Sequence, residues 1–162
     1  MKKITLILFA ALLFTMCKST KTATAGASET KVEKPAEVQY RDDFRAASKK
    51  EKAKVLKELK ATAAKYSVVI FTQNFKGEKI TAANGNGQLY SGYAISNLKT
   101  GIADKTRIDN TVDTTIYDKS DNKEVVIEAK EAQKYKFIYV MKNPGGKAPF
   151  TITYSNTLRP LE

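Results

Sequence analysis

The strongest constraint on the fold is a two-residue alternation of apolar and polar side chains that begins near Ser67. The first segment, 68–75, is β-branched and aromatic, which is typical of a buried strand. Short strands separated by turn residues are typical of a β-sandwich, and we therefore predict a mainly β fold, an antiparallel β-sandwich of about seven strands. The later strand segments are 78–83, 89–95, 107–117, 125–127, 135–141 and 150–154.

The alternation also predicts which side chains face the core. In the last strand, Ile152 should point inward between Phe150 and Tyr154, and Thr153 should point to solvent. The segment 107–117 alternates in the same way over its whole length, and the pattern predicts a single strand there.

One amphipathic α-helix is predicted before the sandwich. Ser48 and Glu51 have the spacing of a capping box, in which each side chain satisfies the backbone N–H of the other residue. Apolar residues then recur at steps of three and four as far as Tyr66, so we predict a helix over 48–65. The pattern leaves open whether 43–65 forms one helix or two.

The N-terminus has the pattern of an export signal. Two lysines precede an uncharged run from Ile4 to Met16, which has the length of a signal-peptide core and is too short to span a membrane as a helix. We predict a signal peptide over 1–16, a flexible tether over 17–40 and a helix-plus-sandwich domain over 41–162. The tether is small and polar with no apolar periodicity, so we expect that folding does not need it.

Cys17, the only cysteine of the chain, directly follows the apolar run. The segment Phe14-Thr15-Met16-Cys17 resembles the lipobox of bacterial lipoproteins, in the relaxed form of Bacteroidota-like sequences. The resemblance implies a lipid such as palmitate on Cys17, attachment to the membrane through it, and a place in the outer membrane facing the periplasm or the cell surface. The alternative is cleavage at the A-x-A tripeptide 23–25, which predicts a secreted protein. In either case no internal disulfide can form.

The chain is strongly basic, with 28 Lys and Arg residues, 17 Asp and Glu residues and a net charge of +11. Loss of two lysines with the signal peptide leaves a net charge of +9. A basic exported protein attracts anionic lipids and acidic glycans, whereas export separates it from nucleic acid. The alternative interpretation is that the lysines only keep the surface solvated. The candidate anion-binding residues are Lys50, Lys54, Lys57 and Lys60, on the predicted helix.

The sequence lacks the side chains and motifs that most enzymes use for catalysis. The chain has no histidine, which excludes Ser-His-Asp and Cys-His nucleophilic systems, and it has no glycine motif for nucleotides or phosphates. We expect no cofactor and no enzymatic activity. A carboxylate-based hydrolase is the remaining enzymatic hypothesis, since glycoside cleavage needs only two acids. Its candidate acids are Asp109, Asp113, Asp118, Asp121, Glu124 and Glu128.

The turn that begins at Asp118 is rich in the hard oxygen ligands that calcium prefers. Asp118, Asp121 and Asn122 are the candidate calcium ligands. Two lysines in the same turn, and a spacing unlike that of an EF-hand, favour a polar hairpin turn in which Asp and Asn side chains bind backbone N–H groups. We therefore predict no metal site.

Three segments of the last third, DTTIYD at 113–118, KYKFIYV at 134–140 and PFTITY at 149–154, resemble the closing strands of the bacterial pre-peptidase C-terminal type of β-sandwich. The resemblance implies an accessory, non-catalytic domain. The two resemblances and the missing enzyme chemistry together imply a non-catalytic cell-envelope lipoprotein that acts as a binding or structural module, and the sequence points to no particular protein partner. The alternatives are an anionic-surface binder that uses the helix 48–65 and a carboxylate-based hydrolase.

Overall fold

Two β-sheets form the fold in a computed structural model, which describes residues 36–161. The described part of the chain has nine strands and two helices. In chain order they are β1 (Glu37–Tyr40), α1 (Lys49–Glu58), β2 (Tyr66–Phe71), β3 (Lys76–Asn84), β4 (Gly87–Ile95), β5 (Asp104–Asp109), β6 (Thr114–Asp118), β7 (Lys123–Ile127), α2 (Ala129–Ala132), β8 (Phe137–Lys142) and β9 (Phe150–Ser155).

The strands divide into a five-stranded and a four-stranded sheet that pack as a sandwich, as the alternation predicted. The four-stranded sheet has the order β4-β3-β6-β7, and all its pairs are antiparallel. The five-stranded sheet has the order β1-β9-β8-β2-β5 and is mixed, because β1 runs parallel to β9 and β2 runs parallel to β8. The predicted β-sandwich is therefore confirmed, and two strand pairs of this sheet are parallel rather than antiparallel.

The core lies between the two sheets. Val69 and Ile138 of the five-stranded sheet and Ile80 and Ile116 of the four-stranded sheet are fully buried in one apolar cluster. In β9, Ile152 is buried in the same cluster, and its neighbours in the alternation are buried with it. The predicted inward face of β9 is therefore confirmed.

The segment 107–117 is two strands rather than the single strand that was predicted. β5 belongs to the five-stranded sheet and β6 to the four-stranded sheet, so the chain crosses the sandwich between them. At the crossing, the Asn110 side-chain amide donates to the Ala64 carbonyl at 2.9 Å and to Ser67 Oγ at 3.1 Å. The Thr111 N–H donates to Asp109 Oδ1 at 3.0 Å, which forms a tight polar turn. These bonds break the strand although its alternation continues.

The helix is shorter than predicted and covers only Lys49–Glu58. It begins at the predicted cap, where Ser48 Oγ accepts a hydrogen bond from the Glu51 N–H at 3.1 Å. The second half of the capping box does not form, because the Glu51 carboxylate accepts from the Leu161 N–H at 2.9 Å instead. Lys60 has a φ of +51°, which turns the chain away from the helical path and explains why the periodic residues beyond it do not continue the helix.

The helix packs on the outer face of the five-stranded sheet. Val55 of α1 and Leu158 of the C-terminal segment join Val68, Ile70 and Phe137 of the sheet in a second apolar cluster. This cluster is separate from the core between the sheets, because successive residues of a strand point to opposite faces. Helix α1 and the C-terminal segment therefore cover one part of the outer face of the five-stranded sheet.

The predicted tether ends earlier than residue 40. Residues 37–40 form β1, which is an edge strand of the five-stranded sheet. The signal peptide, Cys17 and the predicted tether as far as residue 35 lie outside the described residues. Among residues 36–161, no helix has the length and the apolar character that a membrane span requires.

Candidate functional site

A groove of about 540 Å³ runs between β1 and β7, the edge strands on one side of the two sheets. Its apolar surface comes from both sheets and includes Val38, Val126 and Ile152. Val38 is 49% exposed and Val126 is 44% exposed, so aliphatic side chains of both edge strands remain in contact with water. A concave surface that is largely apolar with a few polar groups is the usual form of a binding site.

Tyrosines close one end of this groove. The Tyr40 ring stacks on the Tyr154 ring, with centroids 5.6 Å apart and an interplanar angle of 18°. Tyr135 contacts both of these rings, at 5.7 and 5.6 Å between centroids. Because Tyr40 belongs to β1 and Tyr154 to β9, the stack also fixes the edge strand to its neighbour.

Carboxylates line only one wall of the groove. Glu124 lies in β7, Glu128 directly after it and Glu131 in α2. The residues that line the groove from the side of β1 are Ala36, Val38 and Tyr40, which carry no carboxyl group. A glycosidase needs acids on the two sides of the bond that it cleaves, and this one-sided placement does not provide them.

The other acids of the hydrolase hypothesis make structural bonds. Asp109 Oδ1 accepts the Thr111 hydroxyl at 2.7 Å. Asp113 Oδ1 accepts the Ala129 N–H at 2.7 Å, at the start of α2. Neither carboxylate lines the groove with Glu124 and Glu128, so the structure does not bring the six candidate acids together at one cleft.

Lys142, at the end of β8, is surrounded by three carboxylates. Its Nζ lies 2.7 Å from Glu78 Oε1, 2.8 Å from Asp118 Oδ2 and 2.7 Å from Asp121 Oδ2. The lysine side chain is 9% exposed and the Asp118 side chain is fully buried. The contact with Glu78 is a hydrogen bond, whereas the contacts with Asp118 and Asp121 are ion pairs, and within residues 36–161 no hydrogen bond reaches Asp118 Oδ2. Because Glu78 and Asp118 belong to the four-stranded sheet, the cluster connects the two sheets.

The ammonium and the carboxylates shift one another's pKa values. Burial lowers the pKa of Lys142, but its close contacts with the carboxylates of Asp118, Asp121 and Glu78 outweigh burial and raise the pKa above its usual range. Burial raises the pKa of Glu78, but hydrogen bonds from Lys142 and from the Lys76 N–H lower it below its usual range. Both groups are therefore charged at neutral pH.

The three calcium candidates are placed around the same turn with different partners. Asp118 Oδ1 accepts the Ser120 N–H at 2.8 Å, and its other oxygen binds Lys142, as does Asp121. Asn122 Oδ1 accepts the Tyr117 hydroxyl at 2.7 Å. The lysine ammonium thus occupies the position between the carboxylates that a cation would take. Within residues 36–161, no group of three or more Asp, Glu or Cys side chains is arranged for a metal ion.

The candidate anion-binding lysines are exposed on and after α1. Lys50, Lys54 and Lys57 are spaced by four and three residues, so they lie on one face of the helix, away from the buried Val55. Lys60 is also exposed, but it lies after the end of the helix. The structure therefore brings three of the four candidates into one row.

Sequence reasoning missed β1 as one side of the groove and Lys142 as the centre of the lysine cluster. β1 was assigned to the tether, although Val38 and Tyr40 alternate with polar residues in the segment EVQY. That alternation was the one available signal, and four residues are short for a prediction. Lys142 was not singled out, because its partner Glu78 is 64 residues away in the chain.

No protein-family model matches the chain, and no curated protein matches its sequence.

Proposed function

We propose that the protein is a non-catalytic binding module of the cell envelope, held at the membrane by a lipid on Cys17. The observation that carries the binding role is the groove between β1 and β7, which offers an apolar surface, a tyrosine stack and carboxylates on one wall. The carboxylates favour a ligand with basic side chains, and the two edge strands favour an extended segment of a protein. The lipobox resemblance supports the anchor.

The anchor is tested by labelling cells with a clickable fatty acid. The wild-type protein should take up the label and the Cys17→Ser variant should not, because the thiol is the group that would be acylated. A wild-type protein that carries no label, with a mature N-terminus at Gly26, would contradict the lipoprotein and support secretion.

The binding role is tested by a photo-crosslinking residue in place of Val126, in the groove. Leu98 is the matched control, since it is a fully exposed hydrophobic residue that does not line the groove. In living cells, we expect a discrete crosslinked protein from position 126 that is absent from position 98. Equal crosslinking from both positions would show that the groove has no binding partner of its own.

The second candidate function is binding to anionic surfaces, and the exposed row of Lys50, Lys54 and Lys57 favours it. A cluster of three or four lysines near an anionic membrane contributes about 1 kcal/mol per lysine. With the lipid removed by Cys17→Ser, the protein should sediment with vesicles that contain phosphatidylglycerol and not with vesicles of phosphatidylcholine alone.

Two quadruple variants separate this function from general charge attraction. The first changes Lys50, Lys54, Lys57 and Lys60 to Gln. The second removes the same charge elsewhere, by changing the exposed residues Lys99, Lys119, Lys130 and Lys147 to Gln. The first variant should lose vesicle binding and the second should keep it. Equal losses would show that only the net charge matters.

A further inference from the structure

The arginines of this protein are concentrated at one place. Only four of its 28 basic residues are arginines, and three of them, Arg41, Arg45 and Arg159, line a hollow on the outer face of the five-stranded sheet. The hollow consists of two adjoining cavities of about 200 and 430 Å³, and Arg41, Phe44 and Arg159 line both of them. We call this surface the arginine hollow. It lies beside the part of the outer face that the helix covers.

Aromatic rings hold two of the guanidinium groups. The Arg41 guanidinium lies over the Phe44 ring at 5.1 Å, and the Arg159 guanidinium lies over the same ring at 5.3 Å and over the Tyr139 ring at 5.6 Å. Phe44 itself packs edge-on against Tyr139, with ring centroids 5.5 Å apart. Two positive charges therefore converge on one phenyl ring.

Carboxylates neutralise only part of the positive charge of the arginine hollow. Arg41 binds both oxygens of Asp43, each at 2.9 Å. Within residues 36–161, Arg45 and Arg159 have no carboxylate partner, and their guanidinium groups make no hydrogen bond. Their N–H donors are therefore available to a ligand.

The backbone around the hollow is fixed before any ligand binds. Asp42 Oδ1 accepts hydrogen bonds from Ser155 Oγ at 2.7 Å and from the Asn156 N–H at 2.7 Å, which joins the segment after β1 to the C-terminal end of β9. The Arg159 N–H donates to the Tyr139 hydroxyl at 2.9 Å. Such preorganisation lowers the entropy that binding costs.

Polar side chains line part of the smaller cavity, and we call Gln73 and Thr153 its polar floor. The Thr153 side chain projects from β9 on the face opposite the core, and Gln73 lies just after β2. Both residues are half-buried. Within residues 36–161, the Thr153 hydroxyl and the Gln73 amide make no hydrogen bond. The hollow thus combines two guanidinium groups without carboxylate partners, Arg45 in the larger cavity and Arg159 in both, with unpaired neutral donors and acceptors in the smaller cavity.

We infer that the arginine hollow binds an acidic sugar, with a carboxylate or sulfate on Arg45 and Arg159 and hydroxyl groups on Gln73 and Thr153. The planar guanidinium fork matches the geometry of an oxyanion, and such charge-assisted bonds are the strong ones. A polar floor suits a hydroxylated ligand better than an acyl chain. The inference rests on the proposed function only in treating the protein as a binding module, because it needs neither the lipid on Cys17 nor the groove.

Calorimetric titration of the full-length protein in a neutral detergent tests the site. The probes are a trimer of galacturonic acid, a sulfated galactose trimer and a neutral galactose trimer. At least one acidic trimer should bind, the better of the two identifies the anionic group, and the neutral trimer should bind at least about tenfold more weakly, as expected for loss of a charge-assisted bond. Failure of both acidic trimers would overturn the inference, and so would inorganic sulfate that binds as tightly as they do.

Matched variants locate the binding. The Arg45→Gln/Arg159→Gln variant should weaken binding of the acidic trimer at least about tenfold, whereas the control Lys119→Gln/Lys147→Gln removes the same charge from two exposed lysines outside the hollow and should change it less than twofold. Equal losses in the two variants would overturn the inference.

Thr153→Val keeps every charge and should weaken binding a few-fold without changing its salt dependence. An unchanged affinity in this variant would exclude the polar floor. Because none of these measurements involves fatty-acid labelling or crosslinking, a failure here leaves the anchor and the groove standing.

Discussion

The Lys142 side chain shows how one residue can join two sheets. Its ammonium group binds Glu78 and Asp118 of the four-stranded sheet, while its backbone belongs to the five-stranded sheet. A buried charge is stable only when its partners compensate for the loss of water, and here three carboxylates do so. The same three carboxylates would repel one another if the ammonium were removed.

We predict that Lys142→Met lowers the free energy of unfolding by about 3–5 kcal/mol at pH 7, because it leaves buried carboxylates without a cation. The loss should shrink in acid. The pKa of Glu78 is lower in the folded state than in the unfolded state, so its stabilisation is complete above the unfolded pKa and disappears as the pH falls through the folded pKa. In the Lys142→Met variant the ammonium no longer lowers the pKa of Glu78, so the variant does not gain this stabilisation at neutral pH.

Urea unfolding of the wild type and the variant at pH 7 and near pH 3 measures this difference. The control is Lys119→Met, which removes an exposed lysine from the β6–β7 turn and should cost little at either pH. A deficit of Lys142→Met that is the same at both pH values would show that lost packing, and not the unpaired carboxylates, causes it.

At the scale of elements, the edge strand β1 is the clearest difference between expectation and structure. β1 pairs in parallel with β9, so that Val38 lies beside Ile152, more than a hundred residues later in the chain. No local sequence signal encodes that pairing, because parallel partners are not joined by a turn. The start of the helix at Ser48, in contrast, could be predicted, because the capping hydrogen bond is local in the sequence. Its early end could not be predicted in this way, because it depends on the positive φ of Lys60.

We predict that β1 is needed for full stability, which reverses the expectation that residues up to 40 are dispensable. A chain that begins at Arg41 loses the β1–β9 ladder and the stacking of Tyr40 on Tyr154. It should be at least about 2 kcal/mol less stable than a chain that begins at Ala36. Thermal and urea unfolding of the two chains measures the difference, and equal stability would show that β1 is only a peripheral strand.

At the scale of the whole molecule, the alternation was sufficient to predict a sandwich but not its connectivity. Inward positions such as Ile152 followed from the two-residue period, because one buried face per strand requires it. The crossing from β5 to β6 did not, since it depends on the bonds of Asn110 to residues more than 40 positions earlier. The groove and the arginine hollow were not predicted for the same reason: each is assembled from segments far apart in the sequence.

The core that the two sheets share determines how the whole molecule should unfold. Ile138 of the five-stranded sheet and Ile116 of the four-stranded sheet lie in one apolar cluster, so neither sheet keeps its buried surface without the other. With Cys17 as the only cysteine, no internal disulfide can hold one sheet together after the other opens. We therefore expect one cooperative unfolding transition. Hydrogen exchange in increasing urea, followed by mass spectrometry, should give the same midpoint for peptides from β3 and from β8. Two separate midpoints would show that the sheets unfold independently and that the lysine cluster between them does not couple them.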